Sequence, residues 1–163
     1  MSSPCATRIG RWTAVQMDEA LLRVPTVEAI VFDADGVLVD SLGSVTRAWR
    51  LWASDYRVDV DALLASVHGR PARESVAAFL PPALVKEATR RIDAYELEDA
   101  DSVGPLPGAI ELLTSLPVGR WAVATSGNRE LATARLTAAG LPMPSVLVTA
   151  DDVRLGKPDP EVC

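Results

Sequence analysis

Two aspartates, Asp33 and Asp35, follow the apolar run Ala29-Ile30-Val31-Phe32 and precede Gly36. Residues two apart on an extended chain point to the same side, so both carboxyls face one small space. Acids crowded in this way repel each other unless a metal or a phosphoryl-transfer task uses them. A second group, Thr125-Ser126-Gly127-Asn128, closes another apolar run, and a third sets Lys157 between Gly156 and Pro158. A hydroxyl, small residues and the free N–H groups of a helix start make an anion cradle. Two carboxylates, that cradle and one ammonium suit a phosphate monoester: Lys157 and Thr125 hold the phosphoryl oxygens, and a divalent cation bridges them to the carboxylate. Aspartate is ionised at neutral pH, so Asp33 is the candidate nucleophile. Mg²⁺ would offset its repulsion from the phosphate. Asp35 is the candidate that protonates the leaving alkoxide and later takes a proton from water.

The elements that must bring these groups together are readable from periodicity. Residues 29–32 suit a strand buried on both faces of a parallel sheet, which puts Asp33 and Asp35 at its carboxyl end, where such sheets bind ligands. Residues 121–125 and 146–149 read as two more strands. Residues 109–116 read as a helix, and Asn128 caps another that runs to residue 139, before Gly140. Strand and helix alternating with short links is the parallel α/β pattern. Between the first acids and the second strand the pattern is purely helical. Val45, Ala48, Trp49 and Trp52 recur at helical spacing. Asp59 or Asp61 caps residues 62–67, with Gly69 ending them. Residues 73–80 stop at Pro81-Pro82, and Leu84, Ala88, Ile92 and Tyr95 mark a fourth helix. Residues 99–108, with two prolines and two glycines, read as a linker. The expected division is a loose extension over 1–27, an α/β core over 28–41 and 105–163, and a helical cap over 42–104.

Composition limits the alternatives. The chain has 163 residues, 48% of them hydrophobic, enough for one sizeable core and a small second lobe. Its apolar runs are far too short to span a bilayer. A formal net charge of −6 argues against nucleic-acid or anionic-membrane partners. Cys5 and Cys163 lie near opposite ends and suit a reducing cytoplasm. Residues 1–12 carry Arg8 and Arg11 but lack the apolar core of a signal peptide, and Met17 offers an alternative start.

In these residues the chain resembles the haloacid dehalogenase superfamily of phosphohydrolases. Asp33-Ala34-Asp35-Gly36-Val37, Thr125 and Gly156-Lys157-Pro158-Asp159-Pro160 occur in that family's order, and the helical insert sits where the family carries a small cap. The resemblance implies a Rossmann-like parallel core and an aspartyl-phosphate mechanism with Mg²⁺. Asp33 would be nucleophile and metal ligand, and Asp35 acid/base and metal ligand through its backbone carbonyl. Residues 120–129, Val67-His68-Gly69-Arg70 and residues 149–153 are similar to phosphatases of polyol and sugar phosphates. Phosphosugar mutases of the superfamily carry a histidine where this chain has Val45, which favours transfer to water. The family's further strand, with its metal-binding acids, is not matched, so the resemblance implies a truncated member. The C-terminal strands would be missing, metal affinity weak, and residues 29–32 an apolar sheet edge prone to aggregation or self-pairing of an otherwise monomeric chain. A phosphosugar mutase and a catalytically silent, phosphate-binding remnant are the alternatives.

Several residues carry two readings. Thr125 contacts phosphate or merely caps the next helix. His68, the single histidine, and Arg70 contact a hydroxyl-rich substrate or sit solvated on the surface. Asp40 and Ser41 are expected to lead into and cap the first helix of the insert. Asp151 and Asp152 read as structural or surface acids, Trp49 and Trp52 as insert core. Arg90-Arg91 with Glu96, Glu98 and Asp99 read as a solvated helix face.

Overall fold

The computed structural model describes residues 27–157 together with Asp159 and Glu161. Residues 1–26 of the expected extension, with Cys5, and Pro158, Pro160 and Cys163 lie outside the described residues.

Three parallel strands form the sheet: β1 (Ile30–Phe32), β4 (Trp121–Ala124) and β5 (Leu147–Val148), in the order β1-β4-β5. Ile30, Val31 and Phe32 align with Trp121, Ala122 and Val123, and Val123 and Ala124 with Leu147 and Val148. The α/β class is therefore as expected. The central strand β4 is apolar throughout, and Val123 is fully buried. The double-sided burial expected for β1 is not found. Among the described residues it has one strand neighbour, and Val31 keeps 52% of its surface exposed.

α5 (Ala109–Ser115) and α6 (Arg129–Ala138) flank the strands. One apolar cluster joins Leu38, Val39, Leu113, Trp121, Val123, Leu136 and Leu141. After β1 the chain turns sharply: Leu38 and Val39 donate to the Ala34 carbonyl, and Gly36 takes φ +74°, a value that costs glycine little. The turn leads into β2 (Val39–Asp40), which pairs antiparallel with β3 (Gly104–Pro105). This two-stranded ribbon stands at both ends of the helical insert, where a structureless linker was expected.

Between the ribbon strands run α1 (Leu42–Tyr56), α2 (Val60–Leu64), α3 (Ala72–Phe79) and α4 (Pro82–Glu98). Asp59 caps α2 by accepting from Ala62 N at 2.8 Å. Ser41 stands at the N-cap of α1 but makes no side-chain cap bond, contrary to expectation, since its backbone is already in the helical region. The insert has its own apolar cluster around Trp49, Trp52, Leu63, Val76, Ala88 and Ile92. Trp52 is fully buried, meets Trp49 edge to face and Tyr56 at a tilt, and donates to the Ala88 carbonyl at 2.8 Å. Trp52→Ala is expected to cost about 3–5 kcal/mol, because the site cannot collapse around so large a void. A lowered urea midpoint with unchanged slope would show it. A loss below about 1 kcal/mol would mean the insert packs otherwise.

Candidate active site

Asp33 and Asp35, residues 125–128 and Gly156 line one cleft of about 340 Å³ between sheet and insert. Asp33 leaves the end of β1, and its Oδ1 accepts from Ala34 N at 2.8 Å. Its Oδ2 lies 2.9 Å from Lys157 Nζ, which also donates to the Ala124 carbonyl at 3.0 Å. The ammonium is thus fixed between the ends of β1 and β4. Asp35, Thr125, Ser126, Gly127 and Asn128 line the same cleft, as do His68 and Arg70 from the insert. His68 and Arg70 are exposed at the cleft wall, and Arg70 lies 3.9 Å from Glu74.

The cradle at the end of β4 is narrower than expected. Thr125 is buried, and its hydroxyl accepts from Gly127 N at 3.2 Å. Asn128 caps α6 by accepting from Leu131 N, and Asp151 accepts from Arg129 N, each at 2.8 Å. Three N–H groups at this helix start are therefore already satisfied inside the protein. Ser126 donates to the Gly69 carbonyl at 2.9 Å, which ties the cradle to the insert. Asp152 accepts from Arg129 and from both the hydroxyl and backbone N–H of Thr149; with Arg129 contributing most, its carboxyl is held down at about 2. Asp151 and Asp152 are structural acids in this geometry. The insert closes on the lysine loop as well: Gly156 N donates to Glu74 at 3.1 Å, and Arg73 donates to the Arg154 carbonyl at 3.1 Å.

Glu96 departs from expectation outright. It is buried, not solvated, and bonds the equally buried Arg135 of α6 at 3.3 Å. Arg135 also reaches Asp35 Oδ1 at 2.9 Å. The sequence held a signal for both. Glu96 continues the line of Ala88 and Ile92 at four-residue steps, and Arg135 falls on the buried stripe of Leu131, Ala132 and Leu136. Leu84, expected on the buried line, is 40% exposed. Asp93, one turn before Glu96, also lines the cleft, and burial raises its pKa.

Burial pushes Glu96 from 4.5 up to about 7; Arg135 opposes this, while Asp35 and Asp93 add to it. Between those two values the unfolded chain sheds this proton while the folded chain keeps it, so stability falls as pH rises through the window and levels off above about 7. Glu96→Gln cannot titrate and lacks this slope. Urea midpoints at about pH 5 and about pH 8 should show the variant gaining on the parent as pH rises. Parallel slopes would remove Glu96 from the account.

Among the described residues no three His, Cys, Asp or Glu side chains cluster as a metal site. Asp33 and Asp35 do bring hard oxygen donors to the cleft. Mg²⁺ keeps several waters and takes only one or two carboxylates, so this donor chemistry suits it.

An acid at the end of a parallel strand, facing a lysine anchored between two strand ends under a helical insert, defines a class. The chain belongs to the haloacid dehalogenase-like hydrolases, whose family model matches residues 27–162. It is 40% identical over 139 residues to hexitol phosphatase A of Escherichia coli, covering 82% of this chain and 64% of that protein. It is 32% identical over 140 residues to glycerol-1-phosphate phosphohydrolase 2 of Saccharomyces cerevisiae, covering 83% and 56%. The crystal structure of a hydrolase from Pseudomonas syringae matches with a TM-score of 0.72 at 25% identity, over 83% of this chain and 67% of that one. The chain thus spans less than two thirds of the length of these two curated relatives. No helix among the described residues is long and apolar enough to cross a membrane.

Proposed function

We propose that the protein hydrolyses a small phosphate monoester of a polyol or sugar in the cytoplasm, through an aspartyl-phosphate intermediate. The observation that carries the reading is the 2.9 Å contact of Lys157 with Asp33, which lines one cleft with Thr125. In the first step Asp33 Oδ2 attacks phosphorus, the ester P–O bond breaks, and Asp35 gives its proton to the departing alkoxide. In the second step water attacks phosphorus, passes a proton to Asp35, and the Asp33–phosphorus bond breaks to release phosphate. Lys157 and the Thr125 hydroxyl, with Ser126 to Asn128 around them, hold the phosphoryl oxygens. The Asp33 carboxylate and the Asp35 backbone carbonyl would hold Mg²⁺, which would supply positive charge against the phosphoryl oxygens.

The division into core and cap gives this chemistry its shelter. Residues 42–104 act as the cap, exclude water during transfer, and present His68 and Arg70 to substrate hydroxyls. Relatives named for hexitol and glycerol phosphates support that substrate class. The test is Mg²⁺-dependent phosphate release from a panel of polyol, sugar and aryl phosphates. Release from polyol or sugar phosphates supports the reading. A requirement for a bisphosphate activator would mark a mutase. Phosphate binding without release would mark a phosphate-binding remnant.

A further inference from the structure

Arg135 is buried to 3% exposure at the cleft, yet neither phosphate contact nor proton transfer uses it. Its Nη1 donates to Asp35 Oδ1 at 2.9 Å and its Nη2 to Glu96 Oε1 at 3.3 Å. Its Nε has no partner among the described residues. A guanidinium is planar and presents its donors in a fixed fork, so two acids bound on different nitrogens are held at a set separation. The three groups come from three places: the turn after β1, the last turn of α4, and the buried face of α6.

Stability is a weak reason to keep such a cluster. Well-packed apolar side chains in its place would be about as stable, while removing one partner strands a buried charge. Placement is a better reason. Asp35 shares its turn with Gly36, and only one of its oxygens is taken by Arg135. The other stays available toward the cleft that Asp35 lines. We infer that Arg135 is a positioning residue, which sets the Asp35 carboxyl for proton transfer and ties it through Glu96 to the seat of α4. A shift of α4 away from the core pulls on Glu96, then on Arg135, and turns Asp35 out of line. The proton donor is therefore aligned only while the insert is seated. This inference rests on the acid/base reading of Asp35.

Leaving groups separate the positioning role from a structural one. An alkoxide needs a proton to depart and a p-nitrophenolate does not. In Arg135→Gln, first-turnover release from an alkyl phosphate should fall about 100-fold, the scale of a lost general acid. The first-turnover burst from p-nitrophenyl phosphate should stay within about threefold. Arg135→Lys, which keeps the charge and a donor group but not the fork, should recover part of the alkyl rate. Equal losses on both substrates, or none, would overturn the inference. Asp35→Asn is the control for the underlying reading. If it lacks the same split, the acid/base role of Asp35 has failed; if it shows the split and Arg135→Gln does not, only the positioning claim has failed. The double variant should be no slower on alkyl phosphate than Asp35→Asn alone.

A second arm needs no turnover. Melting temperatures of Arg135→Gln, Glu96→Gln, Asp35→Asn and their pairs form double-mutant cycles. The paired losses should be clearly smaller than the sums of the single ones. Additive losses would show that the three groups do not act together. Pairing Arg135→Gln with Glu96→Gln leaves no stranded acid on α4, so a folded variant remains available should the single one unfold.

Discussion

Replacing Asp33 by Asn is expected to abolish phosphate release, by roughly four orders of magnitude or more. The two side chains have nearly the same shape, so the cleft should survive. What changes is chemistry at Oδ2, the atom 2.9 Å from Lys157. An amide is no nucleophile toward phosphorus, and Asp35, held by Arg135 through one oxygen, has the separate task of moving protons. Lys157 also loses its counter-ion, although its bond to the Ala124 carbonyl should keep it near the cleft. The direct measurement is the mass of the chain after rapid acid quench, where the parent gains one phosphoryl group and the variant none. Thermal melting checks that both are folded. Turnover in Asp33→Asn comparable to the parent would remove the covalent mechanism and leave Asp33 as a charge partner only.

The parts of the site that could be read in advance share a physical cause. A short apolar run ending in Asp33, Thr125 or the Lys157 loop has few structural solutions, because strands of a parallel sheet are apolar and their carboxyl ends are where polar groups can surface. Asn128 before a helical stretch was legible for the same kind of reason, since its side chain satisfies a donor that any helix leaves open. Arg135 and Glu96 were hidden by the opposite logic. Periodicity arguments send charges to the solvent side, and a buried ion cluster depends on partners distant in sequence: Asp35, Glu96 and Arg135 come from separate elements. The β2–β3 ribbon was missed likewise, because two-residue strands carry no period and the pairing of Asp40 with Gly104 closes over the entire insert. The narrowing of the cradle also came from afar, through Asp151 reaching Arg129 N from the loop after β5. Local pattern thus located the strand ends. The long-range ties between insert and core, which decide how the strand ends are used, needed the coordinates.

Gly156→Ala tests those ties with one methyl group. A Cβ on Gly156 would overlap the ring of Pro71, the residue that precedes α3. The reason for glycine here is space and not backbone angle, since the neighbour is a rigid ring that cannot swing aside. Glu74 holds the same spot by accepting from Gly156 N at 3.1 Å. Adding the methyl therefore forces either the start of α3 or the lysine loop to move. If α3 moves, the cleft opens and Glu74 loses its bond; if the loop moves, Lys157 drifts from Asp33. Both outcomes weaken phosphate capture, and overpacking of this kind costs about 1–3 kcal/mol. The expected result is at least a tenfold loss, about 1.4 kcal/mol or more, in kcat/KM. Faster hydrogen exchange at the first turn of α3 should accompany it if the insert is the part that yields. Glu74→Gln keeps an acceptor without the charge and should be much milder, which separates loss of space from loss of the hydrogen bond. An alanine variant with parental kinetics and unchanged exchange would mean that insert and lysine loop do not need this close approach in solution, and the coupling of the seated insert to Lys157 would fall with it.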